Sequence, residues 1–364
     1  MSAAVPAVDM DEVFKTVSEK LAGESTSYGA LQYLQSFVAR KRKVLGKDNT
    51  SKVVFHGAAC LIKNGNGKDA GNALQWYIES PDLFYIDVTA SNGGYCDTAR
   101  VLDLFKKFKM NQLEPCASVI YDPLHKAVVD SMTTLGIHTN SLVAKRMHSF
   151  DELCADIFEK TGVWRSAYRV CVRLNLIERA AGILNKWADM PNCYMNEKPL
   201  FFCRSILTLL ADDKAAAANA MAQFSKKYLK EADNASCEPP TPGGEDSAHL
   251  ACWHLAVIIA ELAVLPPAPR VDKARLFNVL TNLYAEMVDR IDSNIVTLLE
   301  KVGVNVFQLG KKKVAADPMN MIQAMMNMGG GKTAAPGAGG PAGQIGGMDV
   351  NKMLSMLNQM EGKR

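Results

Sequence analysis

Tyr28-Gly29-Ala30-Leu31-Gln32-Tyr33-Leu34 runs on through Phe37 into Arg40-Lys41-Arg42-Lys43, and opens a stretch to Glu79 that reads as paired helices with almost no strand. After a polar break come Val53-Val54-Phe55-His56-Gly57-Ala58-Ala59, a turn at Asn64-Gly65-Asn66-Gly67, and then Gly71-Asn72-Ala73-Leu74. Apolar residues recur three and four apart, with Leu31, Leu34, Phe37 and Val38 on one helix and Phe55, Ala58, Leu61 and Ile62 on the next. That period places them on one helical face. Gly57, Ala58 and Ala59 in mid-helix let a neighbouring helix approach closely. Short helices with stripes this thin cannot bury them alone and must stack. The expected fold is therefore all-α, a TPR-like α-solenoid of stacked antiparallel helix pairs with a flexible Gly-rich tail. Such a fold presents surface to other proteins and rarely carries catalysis.

The rest of the chain extends this pattern. Residues 1–10 read as a loose leader, 11–150 as the N-terminal half of the solenoid and 151–328 as its C-terminal half. Helices are expected over 11–21, 97–110, 150–160, 163–174, 176–190, 197–211, 215–228, 250–265, 271–284 and 291–307. Pro115, Pro123 and the 138–140 segment are expected to divide the intervening chain into short helices, whereas Pro199 suits a helix start. Segments 91–94 and 233–247 read as loops, the second rich in proline and glycine. The 329–347 stretch of Gly, Ala and Pro reads as a linker. Beyond it, 348–364 holds a short Met-rich helix with Val350, Met353, Leu354, Leu357 and Met360 in amphipathic spacing. Nine of the 18 methionines follow Asp317.

Composition removes several classes. The 364 residues are 48% hydrophobic, enough for a substantial core. The formal charge of +3 is too small to imply nucleic-acid or membrane binding by bulk electrostatics. The nine cysteines form no CxxC pair and sit mostly in apolar runs, which fits free thiols in a reducing compartment. The first residues show no secretory signal, and the run 250–265 is too short and too often interrupted to span a bilayer. A cytosolic protein without direct membrane insertion is expected.

No catalytic constellation stands out, and no cofactor is expected. Gly329-Gly330-Gly331-Lys332-Thr333 superficially resembles a P-loop, but the first glycine would fall at Met326 and no strand precedes it. His249, Cys252 and His254, spaced i, i+3 and i+5, do not share a helix face, so no metal site is expected. The basic run Arg40, Lys41, Arg42, Lys43 reads as a solvated helix end, where cations favour the C-terminal dipole. The alternative is a docking face for an acidic protein, since 11–68 carries ten basic and five acidic residues. No aromatic platform interleaves the charges, which argues against RNA. The Met-rich tail fits either packing on the solenoid or a soft face for a hydrophobic ligand helix.

Tyr28-x-Ala30-x-Gln32, Phe37 with Arg40, Gly57-Ala58 and the turn before Gly71 resemble the opening helix pairs of the Golgi to ER traffic protein 4 family. The resemblance returns at Phe201-Phe202-x-Arg204, Leu209-Leu210 and Phe224, then through 250–265, Leu283-Tyr284, Leu298-Leu299 and the Met-Met helix before Gly329. It covers roughly 11–328, with 88–195 alike only in helical character. It implies a non-enzymatic cytosolic scaffold in tail-anchored membrane-protein targeting. The N-terminal helices would dock the targeting ATPase (Golgi to ER traffic protein 3 type), and the C-terminal half would hold a ubiquitin-like-domain protein (Golgi to ER traffic protein 5 type). That partner recruits a TPR co-chaperone carrying the client.

Carried onto this sequence, the resemblance puts Tyr28, Gln32 and the basic run Arg40 to Lys43 on the ATPase side, with Glu79, Asp82 and Asp87 at its next edge. Arg204, Phe224, Tyr228, Leu250, Trp253 and the 233–247 loop fall in the half facing the ubiquitin-like partner. The family carries a β-hairpin near this loop, whereas Pro239, Pro240 and Pro242 here lack amide donors. The linker and terminal helix exceed the usual family length, and Met353, Leu357 and Met360 are candidate contacts for a hydrophobic client. The competing reading is a generic helical-repeat adaptor subunit of a large complex, of proteasome-lid or coat type.

Overall fold

The computed structural model describes residues 9–310, apart from 25, 81, 85–96, 136–141, 192, 194–196, 230–244 and 268–271. The leader before Asp9, Asp87, the 91–94 loop, most of the 233–247 loop and everything after Gly310, including Met353, Leu357 and Met360, lie outside the described residues. Among the described residues there are helices and no strands, and the architecture is an all-α solenoid. No described helix is long and apolar enough to cross a membrane.

The chain opens with α1 (Met10–Gly23), capped by the Asp9 carboxylate, which accepts from the Asp11 and Glu12 amides. Val17 and Leu21 bury its apolar stripe against α2 (Ser27–Lys63). Thr26 caps α2 by accepting from the Gly29 amide. The expected polar break within α2 narrows to one residue, Gly46, at φ 72° and ψ 173°. That conformation is open essentially only to glycine. The basic run ends three residues before this kink.

After a turn with Gly65 at φ 81° comes α3 (Gly67–Glu79). Two glycines bring α3 to backbone distance from α5 (Met110–Leu135). A Cβ at Gly67 would lie 2.7 Å from the Gln112 carbonyl oxygen, and one at Gly71 would lie 2.8 Å from Val119 Cβ and 3.2 Å from the Cys116 backbone. Between them in sequence, α4 (Asp97–Lys107) plants its first residue in the core. Asp97 is fully buried and accepts from Ser51 Oγ at 2.5 Å and Tyr77 OH at 2.9 Å.

Proline does not break α5, contrary to expectation: both Pro115 and Pro123 sit inside one 26-residue helix. Each removes a backbone hydrogen bond and crowds the carbonyl four residues earlier, at a cost of about 3 kcal/mol. The buried series Leu113, Cys116, Ala117, Ile120, Tyr121, Leu124 and Val128 spans both prolines. Burying each large apolar side chain contributes roughly 1.5–3 kcal/mol, so the stripe outweighs the two prolines.

The chain continues through α6 (Leu142–Thr161), α7 (Trp164–Arg173), α8 (Ile177–Ala188), α9 (Lys198–Ala211) and α10 (Ala215–Tyr228). One device closes four of the turns. A residue with positive φ (Gly65, Gly162, Asn175 or Asp213) is followed by an amide that reaches back five residues. These bonds are Asn66 to Leu61, Val163 to Phe158, Leu176 to Cys171 and Lys214 to Leu209, at 2.8–2.9 Å. This is the Schellman closure, which satisfies orphan carbonyls within a two- to three-residue connection. Such short connections make successive helices antiparallel neighbours.

The last three helices among the described residues are α11 (Glu245–Val264), α12 (Lys273–Ile291) and α13 (Ser293–Asn305). Here α11 begins within the expected 233–247 loop, and α12 runs past the expected end at residue 284. The break falls instead at Asp292, whose carboxylate accepts from the Asn294 amide and caps α13. Helix α9 lies at the centre of this half, against α8, α10, α11 and α13.

The α3–α5 contact gives a direct test. Gly71→Val should destabilise the protein by about 1–3 kcal/mol through overpacking in urea unfolding. Gly23→Val, where a Cβ meets nothing within 4 Å, is expected to shift stability far less.

Candidate partner-docking surfaces

Tyr28 and Gln32 lie one turn apart on the first segment of α2. Tyr28 is 63% exposed, and Gln32 Nε2 donates to its hydroxyl at 2.8 Å. Arg40, Lys41, Arg42 and Lys43 are all exposed. Arg40 Nε donates to the Ser36 carbonyl at 3.1 Å, and none of the four pairs with a carboxylate among the described residues. The nearby Asp48 is already committed to Lys52 at 2.7 Å and Arg100 at 2.5 Å. Burial raises its pKa, but these two cations outweigh that and leave it lowered. The run therefore keeps its positive charge facing water.

Arg42 and Lys43 join Gly46, Lys47, Thr50, Asp82 and Leu83 around a small hollow at the kink. The fold thus brings Asp82 to the basic run. Glu79 lies on the last turn of α3, where Gln75 Nε2 donates to it at 2.9 Å. Tyr28 stands apart, because fourteen residues of helix separate it from Arg42 by about 21 Å. The N-terminal candidates form an extended stripe, not a pocket.

In the C-terminal half the candidates divide. Arg204 Nε donates to Asp292 Oδ2 at 2.8 Å, bracing α9 against the α12–α13 junction. Phe224 is half-buried under the Lys227 ammonium, 4.7 Å from the ring centre, and lines a hollow of about 650 Å³ with Leu176, Ile177, Ala216, Ala217 and Ala220. Tyr228, 37% exposed, stacks on Phe202 with ring centres 6.1 Å apart. Leu250 is half-buried. Trp253 does not reach a partner-facing surface: it is 3% exposed, and its indole N–H donates to Ser225 Oγ at 2.8 Å. Its spacing within α11 belongs to packing.

Sequence reasoning missed the groove between α12 and α13. Phe277, Val288, Leu299, Gly303 and Leu309 are among the residues lining a volume of about 750 Å³. Leu276, Val279 and Leu283 form a separate exposed apolar series on α12, outside this groove, with Leu283 59% exposed. In sequence the groove's apolar lining is indistinguishable from core. Phe277, Tyr284 and Val288 form the buried series of α12, while Leu276, Val279 and Leu283 form a second series at helical spacing.

His249, Cys252 and His254 lie on α11. Cys252 is buried and its carbonyl accepts from Cys203 Sγ at 3.2 Å. Burial, aided by Lys226, lowers the His254 pKa. No cluster of three His, Cys, Asp or Glu residues among the described residues could hold a metal ion.

The sequence matches the family model for Golgi to ER traffic protein 4 over residues 47–328. The chain belongs to the Golgi to ER traffic protein 4 family. Among solved structures, the crystal structure of C. therm. Get4 aligns with 90% of this chain and 99% of its own, at 12% identity and a TM-score of 0.49. No curated protein sequence matches the chain. The family match begins just past the Gly46 kink. Tyr28, Gln32 and Arg40 to Lys43 therefore lie before it, whereas Glu79, Asp82 and the C-terminal candidates through Trp253 lie within it.

The Arg204–Asp292 brace is testable by pH. Burial raises the Asp292 pKa, but the Asn294 amide and the Arg204 guanidinium outweigh it and leave it lowered. A carboxyl with a depressed folded pKa contributes stability above its unfolded value, about 3.9, which is lost as pH falls through the folded pKa. Arg204→Ala, at a half-exposed site, should cost about 0.5–1 kcal/mol at pH 7. Asp292→Ala also loses the cap and should cost about 1–2 kcal/mol. Denaturant titrations from pH 7 down into acid should show the Arg204→Ala penalty shrink as Asp292 becomes protonated in the folded state.

Proposed function

We propose that this protein is a cytosolic, non-catalytic scaffold that joins a targeting ATPase to a ubiquitin-like-domain protein. Tail-anchored membrane proteins brought by a TPR co-chaperone then pass to the ATPase for insertion into the endoplasmic reticulum. The family match across 47–328 carries this reading, because that family is named for Golgi to ER traffic. An all-α solenoid suits the role, since stacked helix pairs expose long surfaces that can hold two partners at once. The N-terminal half, 11–150, would meet the ATPase through Tyr28, Gln32, Arg40 to Lys43, Glu79 and Asp82. The C-terminal half, 151–328, would hold the ubiquitin-like partner beside Arg204, Phe224, Tyr228 and Leu250. The 329–347 linker would tether 348–364, where Met353, Leu357 and Met360 transiently cover a client's hydrophobic segment.

Capture from lysate on the immobilised full chain, read by mass spectrometry, tests the bridge. A ubiquitin-like-domain protein and a cytosolic ATPase should both be recovered, and added salt should release the ATPase first, because exposed charge contacts are screened over about 8–10 Å. Replacing Arg40 to Lys43 with glutamate should weaken ATPase recovery about tenfold and spare the other partner. Recovery of proteasome-lid or coat subunits instead would establish the generic adaptor.

Deleting 329–364 should slow client transfer while both partners stay bound. Unchanged transfer would remove the client-contact role of the tail.

A further inference from the structure

Cysteine chemistry divides the seven described thiols sharply. Cys116, Cys154, Cys171, Cys203 and Cys252 are buried, and burial drives each thiol pKa upward, to about 12 at Cys116 and about 11 at Cys171 and Cys252. Such thiols are inert. Cys60 and Cys193 are only partly buried.

Cys60 differs from Cys193 in its surroundings. It sits on the second segment of α2, one turn after His56, and both side chains face α1. Cys60 Sγ lies 3.7 Å from His56 Nε2 and 3.4 Å from Ser18 Oγ, and Ser18 Oγ lies 2.8 Å from the same histidine nitrogen. The imidazole is held in place on its other side. Phe14 stacks on it with ring centres 4.5 Å apart, and the ring also hydrogen-bonds the Phe14 backbone. The cluster therefore comprises a thiol, a base oriented by a neighbouring helix and a hydroxyl within reach of both, at a seam open to water. The His56 ring, opposed by burial and helped by Ser18 and Lys63, holds the Cys60 thiol below its ordinary range, while the bond to Cys60 holds His56 above its own.

We propose that Cys60 is a reactive thiol, a site of oxidation by hydroperoxides, activated by His56 and Ser18 at the α1–α2 seam. The thiol proton passes to His56, leaving a thiolate beside an imidazolium. The sulfur attacks the terminal peroxide oxygen, so that the S–O bond forms as the O–O bond breaks. The sulfur is oxidised by two electrons to a sulfenic acid and the peroxide is reduced. The departing hydroxide or alkoxide takes the proton back from His56 and leaves as water or alcohol. Ser18 donates to the thiolate and keeps the imidazole aligned. Lowering a thiol's pKa toward the ambient pH raises the thiolate fraction faster than it lowers sulfur nucleophilicity, so the cluster accelerates the reaction.

The test treats the folded full chain with hydrogen peroxide and a sulfenic-acid-specific dione, and follows each cysteine peptide by mass spectrometry. Cys60 should label about tenfold faster than Cys193. His56→Gln should slow Cys60 labelling at least about threefold and leave Cys193 unchanged. Should His56→Gln disturb the fold, seen as altered Cys193 labelling or a lower melting temperature, Ser18→Ala replaces it, with the same slowing expected at Cys60. Equal rates at Cys60 and Cys193, or a Cys60 rate indifferent to whichever variant keeps the fold, would overturn the proposal.

Discussion

A carboxylate with no access to water holds the N-terminal half in register. Asp97 is fully buried, and its oxygens are taken by Ser51 from α2 and Tyr77 from α3, while Arg100 on its own helix stands 3.6 Å away and reaches on to Asp48. A buried carboxylate tolerates little slack, since each hydrogen bond to a charged group contributes about 1.5–3 kcal/mol. Helices α2, α3 and α4 are therefore fixed by one atom group and not by apolar contact alone, which would accept small slides. The fix extends outward. Phe84 packs edge-on to Tyr77 with ring centres 6.1 Å apart, and the turn it closes, with Leu83 and Phe84 amides bonded to the Ser80 carbonyl, carries Asp82. The hollow beside the basic run inherits its geometry from the buried aspartate behind it.

The C-terminal half relies on a different economy. The connections after α6, α7 and α9 are left-handed closures of two or three residues, so those neighbours are set by the backbone before side chains interlock. Arg204 and Asp292 then brace α9 against the last helix pair. Residues offered as contacts thus serve two ends. Arg204 is half-exposed yet tied to the fold, Tyr228 is anchored by stacking, and Trp253 is wholly internal.

Periodicity made most of the fold legible. The two stripes of α2, the positions of α1, α9 and α10, the Gly65 turn and the proline opening α9 could all be read directly, because each is a local signal with a local cause. What escaped depended on neighbours. Pro115 and Pro123 read as breaks because the cost of proline is visible in sequence, whereas the stripe of α5 that α3 covers is not. The end of α12 at Asp292 hides because an aspartate in polar sequence looks like any other until its cap and its arginine are seen together. The α12–α13 groove hides because its apolar lining, Phe277, Val288 and Leu299, reads in sequence as ordinary core. Of the docking candidates, the basic run and Asp82 do meet at one place, while Trp253 shows that an aromatic at helical spacing more often belongs to packing.

The long-range ties impose an order in time. Most contacts in a helix-pair stack close between neighbours in sequence, and such topologies fold early and quickly. Helix α9 is the exception. Arg204 finds Asp292 only across 88 residues, and the Ala211 carbonyl at its far end accepts from the Asn305 side-chain Nδ2 across 94. As the chain leaves the ribosome amino-terminus first, the N-terminal half is complete while α9 still waits for α13. Through that interval the apolar flank of α9 that α13 will cover stays bare. Until α13 is made, that flank is exposed apolar surface of the kind that chaperones bind.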